Sequence, residues 1–137
     1  MSLHTTNYFD TFILVSDDCP VAESEVPPVK AKPTIAKIQF DLLHKHPYKY
    51  TSDDLLFRTY ALKKDIAEVL WKEAREQFFS KGQACMRASP LTKRYGWGVH
   101  SDAEGRIALI GMESEAYDRF VKDDRVRKVK AMRNSQA

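Results

Sequence analysis

Ser80 to Gly98 is the one stretch of the sequence in which bases, hydroxyls, glycines and aromatic rings are packed together: Ser80-Lys81-Gly82-Gln83-Ala84-Cys85-Met86-Arg87-Ala88-Ser89-Pro90-Leu91-Thr92-Lys93-Arg94-Tyr95-Gly96-Trp97-Gly98. Phosphate recognition needs Arg or Lys charge, backbone N–H groups that glycine leaves open to close approach, and hydroxyl donors. Lys81, Arg87, Lys93 and Arg94 supply the charge, Ser89 a hydroxyl, and Tyr95 and Trp97 flat faces on which a ring can stack. These four bases are the only charged residues between positions 77 and 101. The same side chains also have a structural reading, with Trp97 in a hairpin core, Lys93 and Arg94 in solvent, and Arg87 paired with a helix acid such as Glu73 or Glu76. No Gly-rich phosphate loop or other formal phosphate motif is matched.

Cys85 and His100 can meet across neighbouring strands, which would set a thiol beside a base, with Lys81 and Arg87 favouring the thiolate. A thiol in a short strand is also a small buried hydrophobe. His44 and His46, two residues apart at a helix end, point roughly 200° apart and cannot share a metal ion; they complement the helix dipole ahead of Pro47. The acids Asp53, Asp54, Asp65, Glu68, Glu73 and Glu76 form no metal-binding or paired-carboxylate pattern, and Ser89-Pro90 lacks the setting of a nucleophilic serine. No metal and no cofactor are expected. A second basic block, residues 119–133, holds seven bases against Asp123 and Asp124. Clustered bases release counterions on meeting phosphates, so this block reads toward nucleic acid if it lies beside the 81–97 segment.

The elements that must position these groups follow from pattern. Residues 8–16, rich in aromatic and β-branched types, predict a covered strand broken by Asp17-Asp18-Cys19-Pro20. Residues 17–32 lack a period and predict a long acidic, proline-containing loop. Pro33 suits a first helical position, and Ile35, Ile38 and Leu42 carry a helix to about His46. Thr51 to Asp54 starts a second helix. Asp65 with Glu68 starts a third, with Ala67, Leu70, Trp71, Ala74 and Phe78 on one face and Gly82 as terminator. An extended piece over Cys85–Ala88 comes next. Trp97–Ser101 and Arg106–Met112 flank Asp102-Ala103-Glu104-Gly105 as a hairpin. Ser114 caps another helix, and Val126, Val129 and Met132 predict a final amphipathic turn or two.

With 137 residues, 43% apolar and 30% charged, the chain fits a single domain over 1–137 that can bury a core without staples. Residues 1–7 read as an unordered start, and Met1-Ser2-Leu3 is set aside as a cloning remnant. Strands at both ends of a helical middle, joined by a hairpin, favour an α+β fold: a small antiparallel sheet of three or four strands with helices on one face. A doubly wound parallel sheet would need a regular alternation of strand and helix that the sequence lacks. No apolar run approaches the ~20 residues of a membrane-spanning helix, and no secretory signal is seen. With only Cys19 and Cys85, a reducing cytoplasm is expected.

The motifs His4-Thr5-Thr6-Asn7-Tyr8-Phe9-Asp10-Thr11-Phe12-Ile13, Asp18-Cys19-Pro20, Pro47-Tyr48-Lys49-Tyr50-Thr51-Ser52-Asp53-Asp54 and the stretch from Phe78 to His100 give the chain a further affinity. Over its whole length it resembles a family of short, uncharacterised bacterial proteins, a domain of unknown function. The resemblance implies a bacterial, cytoplasmic, single-domain protein and assigns no catalytic residue, ligand or partner. Ala84 stands where proline is usual in the family. Three functions are carried forward. The first is a binding module for an anionic, phosphate-bearing small molecule or nucleic acid at Lys81, Arg87, Ser89, Lys93, Arg94, Tyr95 and Trp97. The second is a protein–protein interaction module, a homodimer included, using the hairpin or a sheet edge. The third is a cysteine enzyme built on Cys85 and His100.

Overall fold

The computed structural model describes residues 4–135. Strand β1 (Thr11–Leu14) runs through the middle of a four-stranded sheet of order β3-β2-β1-β4, with β2 (Trp97–Ser101), β3 (Ile107–Gly111) and β4 (Arg127–Lys130). β2 pairs antiparallel with β3, as the hairpin pattern predicts, and also with β1, and Gly105 takes the left-handed φ of +81° that closes the turn. The class is α+β as expected, but the sheet is mixed, because β4 runs parallel to β1. The sequence pattern of Val126, Val129 and Met132 predicts helical turns there. The strand wins because Val129 and Ala131, two apart, both reach the apolar cluster around Ile13, while Met132 is exposed.

Side-chain alternation along β1 sends Phe12 and Ile13 to opposite faces, and both are covered. Ile13 joins Val99, Ile107, Leu43, Leu55 and Met86 beneath α1 (Ile35–Lys45) and α2 (Ser52–Lys63). Phe12 meets α5 (Glu115–Lys122), its ring 5.0 Å from Tyr117 and 5.2 Å from Phe120. Helices therefore pack on both faces of the sheet and not on one. The predicted α5 cap holds, with Ser114 Oγ accepting from the Tyr117 N–H.

α1 begins two residues later than Pro33 suggests, with Thr34 as the cap accepting from the Lys37 N–H. α2 opens on a full capping box between Thr51 and Asp54. Just before it, the Tyr48 N–H donates to the Ile107 carbonyl and the Ile107 N–H to the Tyr50 carbonyl, so this segment covers the outer edge of β3. The third helix departs most from expectation. Asp65 sits at φ +55° in the turn that ends α2, a 3-10 turn follows at Glu68–Leu70, and α3 spans only Trp71–Phe78. A backbone in the left-handed region cannot serve as a helix N-cap, so the Asp65/Glu68 pattern fails there. Phe79 ends the helix ahead of Gly82. Cys85–Ala88 is not extended either: Met86–Ala88 forms a 3-10 turn, and Ser89 caps a short helix α4 (Pro90–Lys93).

Residues 17–32 lack regular structure, as predicted. Residues 4–7 of the expected unordered start are tied down. The His4 N–H donates to the Phe79 carbonyl, Thr6 donates to Asp53 through both its N–H and its hydroxyl at 2.7 Å, and Asn7 Oδ1 accepts from the Asp53 N–H. Residues 1–3 of that segment lie outside the described residues.

Candidate functional site

The structure does not bring the sequence-derived site residues to one hollow. Ser89 is buried, and its hydroxyl donates to Gln39 Oε1 at 2.6 Å while accepting the Leu91 N–H that starts α4. Tyr95 and Trp97 pack on Ala36, Phe40 and Leu91, and the Trp97 indole N–H donates to the Glu25 carbonyl at 2.8 Å. Their rings serve the core and the anchoring of the acidic loop. Arg87 is paired with neither Glu73 nor Glu76; its Nε donates to the Lys130 carbonyl. Arg94 Nε donates to Asn134 Oδ1 at 3.2 Å, and the Lys93 carbonyl accepts from Asn134 Nδ2. Lys81 lines a separate cavity with Phe78 and Gln83.

The second basic block does lie beside this segment, but carboxylates meet it. Lys130 Nζ lies 2.9 Å from Asp17 Oδ1, and Asp18 accepts from the Asn134 N–H. Hydrogen bonds from Ser16 and from the Asn134 backbone hold the Asp18 carboxyl well below the usual carboxylate range, so it stays charged. The acidic loop thus neutralises part of the face that Arg87, Lys93 and Arg94 share with the C-terminal segment.

Cys85 and His100 are also apart. Cys85 Sγ lies 3.6 Å from the Tyr8 hydroxyl, on the Ile13 side of the sheet. His100 is the register partner of Phe12 and lies on the α5 side, its ring stacked 4.1 Å from Phe120 and its Nδ1 2.8 Å from the Tyr48 hydroxyl. No thiol–imidazole pair forms.

The convergence of cations lies elsewhere, in an open cleft of about 430 Å³ where the segment before α2 meets α2 and α3. Asp54, Phe57 and Arg58 come from successive turns of α2, Trp71, Lys72 and Arg75 from α3, and Lys49 and Tyr50 from the connection leading into α2. Fully buried Phe57 anchors the arrangement, with the Trp71 ring edge-on to it at 5.7 Å. The Trp71 indole N–H donates to the Ile66 carbonyl at 2.9 Å, which fixes its orientation. The Arg58 guanidinium stands 5.0 Å from the Tyr50 ring and 5.2 Å from the Trp71 ring, and Lys49 Nζ stands 5.4 Å from Tyr50. Cation–π attraction on two rings holds the guanidinium in place without spending its N–H donors on a carboxylate.

The charge count follows directly. Four bases line the cleft against one acid, and that acid, Asp54, is taken by Arg75 at 2.9 Å. Lys49, Arg58 and Lys72 have no carboxylate partner among the described residues. Such an excess in a concave site draws in a multiply charged anion. Arg58 already stands over both rings, an arrangement that favours charge recognition over base stacking. The sequence hides this site because its bases are spread over positions 49–75 among acids of which only Asp54 lines the cleft. The one signal it carries is spacing: Asp54 with Arg58 and Trp71 with Arg75 each lie four apart, on one face of a helix.

The chain belongs to DUF6157, a family of unknown function, whose model matches residues 3–137. No curated protein and no solved structure matches it. Among the described residues, no helix is long and apolar enough to cross a membrane.

Proposed function

We propose that this member of the family is a binding module for an anionic, phosphate-bearing small molecule, held in the cleft formed by Lys49, Arg58, Lys72 and Arg75. One observation carries the reading: three bases without carboxylate partners converge on a concave site of ligand size, one of them a guanidinium pre-oriented between two rings. A guanidinium meets two phosphate oxygens through parallel N–H donors, and the lysines add point charge around them. The two cysteines, Cys19 and Cys85, are both free thiols, in keeping with a reducing cytoplasm as the place of action.

Trp71 lines the cleft, so its fluorescence reports occupancy directly. Titration with inorganic pyrophosphate, and separately with ADP, is expected to change that signal saturably, with affinity falling as salt is raised. Pyrophosphate is expected to bind no more weakly than ADP, because Arg58 already stands over both rings. Absence of saturable binding of either anion at millimolar concentration would overturn the reading.

A further inference from the structure

On the other side of α2 lies a second cavity, of about 320 Å³, between α1, α2 and the segment that follows α3. Its walls are apolar, from Ile35, Leu56 and Phe78, and its lining contains no acid. Burial gives it a direction. Gln39 at the α1 side is only 2% exposed, whereas Lys63, Lys64 and Ala84 lie at the solvent end.

Gln39 supplies the observation that points to a ligand. Its amide oxygen accepts from the Ser89 hydroxyl at 2.6 Å, but its amide nitrogen has no acceptor among the described residues. Among those residues no fully enclosed side-chain polar atom lacks a partner, so this nitrogen is not sealed off, and Gln39 lines the cavity. A buried amide with free N–H donors at the inner end of an apolar chamber asks for an oxygen acceptor. Three of the remaining polar neighbours are engaged with backbone carbonyls, and Tyr60 is exposed. Thr59 donates to the Leu55 carbonyl, Gln83 donates to the Phe78 carbonyl, and Lys63 donates to the Pro33 carbonyl. Lys64 has no ion pair among the described residues and stands at the mouth.

We propose that this cavity binds an amphipathic organic acid, with an uncharged acceptor oxygen held by Gln39, an apolar body along Leu56 and Phe78, and a carboxylate at the mouth beside Lys64. The carboxylate stays at the solvent end because desolvating it at the inner end, where no cation waits, is costly. This site is separate from the Arg58 cleft and does not depend on it.

The test uses 7-oxooctanoate and octanoate, which differ in the inner carbonyl, titrated into the full chain by calorimetry and followed by amide chemical shifts. The oxo acid is expected to bind roughly fivefold more tightly than octanoate, the worth of one hydrogen bond. Gln39→Leu is expected to erase that preference. Ala84→Trp, a change at an exposed lining position, is expected to abolish binding of both acids with the fold intact, which keeps the test valid should the Gln39→Leu variant unfold. Lys64→Glu is expected to weaken both acids about threefold or more, while Arg58→Ala leaves them unchanged. The proposal is overturned if neither acid binds at millimolar concentration, if Ala84→Trp binds as the wild type does, or if the oxo preference survives in a folded Gln39→Leu variant.

Discussion

Arg75 reaches from α3 to place Nη2 2.9 Å from Oδ1 of Asp54 on α2, and this contact ties the two walls of the basic cleft together. Asp54 Oδ2 also accepts the Thr51 N–H, as the second half of the capping box. Burial pushes its carboxyl up, but the Thr51 N–H and the Arg75 guanidinium outweigh that, and the net pKa lies below the ordinary Asp value. A carboxyl depressed on folding stabilises the fold above its unfolded pKa of about 3.9, and that contribution is lost as pH falls through the lower folded value. Asp54→Asn is therefore expected to flatten the fall in stability below about pH 4 and to cost about 1 kcal/mol at neutral pH through the weakened cap. Urea midpoints measured across acid pH check both. An acid limb as steep as the wild type's would show that other carboxylates carry it.

The same contact leaves Arg58 as the guanidinium free to meet an anion. Arg58→Ala is expected to weaken pyrophosphate binding about tenfold, equivalent to about 1.4 kcal/mol. The loss of its two ring contacts should lower stability by no more than about 2 kcal/mol. Arg58→Lys is expected to restore little of the affinity, since an ammonium cannot offer two parallel donors. Trp71 fluorescence titrations and thermal melts separate the two effects. Affinity unchanged in a folded Arg58→Ala variant would remove the cleft from the binding reading.

Local signals in the sequence were sound wherever one short segment decides its own structure. Thr51 with Asp54, Ser114 before α5, and Gly105 in the hairpin all do what their types dictate. The failures came where partners distant in sequence decide. Val129 reads as helical by its spacing from Val126 and Met132, yet pairing with Ile13 across the whole length of the chain makes it a strand residue. The 81–97 segment looks like a site because its bases are close in sequence, but the backbone runs through a 3-10 turn, a short helix and a strand, so Lys81 lines a separate cavity and the rings of Tyr95 and Trp97 turn into the core. The Arg58 cleft is the converse, a cluster assembled in space from residues that are separated in sequence.

Gly98 marks how closely α5 sits on the sheet. A Cβ built there would lie 2.7 Å from Phe12 Cζ and 2.9 Å from Tyr117 Cε2. Both rings are fixed, since Phe12 is fully buried and the Tyr117 hydroxyl accepts the Val15 N–H at 2.9 Å. Gly98→Ala is expected to destabilise by about 1–3 kcal/mol through overpacking. Combined with Phe12→Leu, it should cost less than the sum of the two single changes, because the smaller side chain makes room for the added methyl. Strict additivity in urea unfolding would show that the close contact is relieved elsewhere.

His100 offers a pH test of the same face. Burial between Phe120 and the sheet pushes the imidazole pKa down, against the opposing pull of Asp102, Asp10 and Asp123, and the net value lies below the ordinary 6.5. A neutral ring suits its surroundings, because Nδ1 lies 2.8 Å from the Tyr48 hydroxyl and can accept from it only while unprotonated. The sign follows from linkage. Below about pH 6.5 the unfolded chain takes up a proton that the folded chain refuses, so stability falls with falling pH until the folded value is passed. His100→Gln keeps an acceptor for Tyr48 and removes the titration. It is expected to show a flatter stability profile between about pH 6.5 and 5 than the wild type, while profiles below about pH 4 stay parallel because the carboxylates govern there. Imidazole proton shifts followed by NMR across the same range should place the His100 midpoint below the ordinary 6.5. A midpoint at or above 6.5 would mean that the three nearby aspartates outweigh burial.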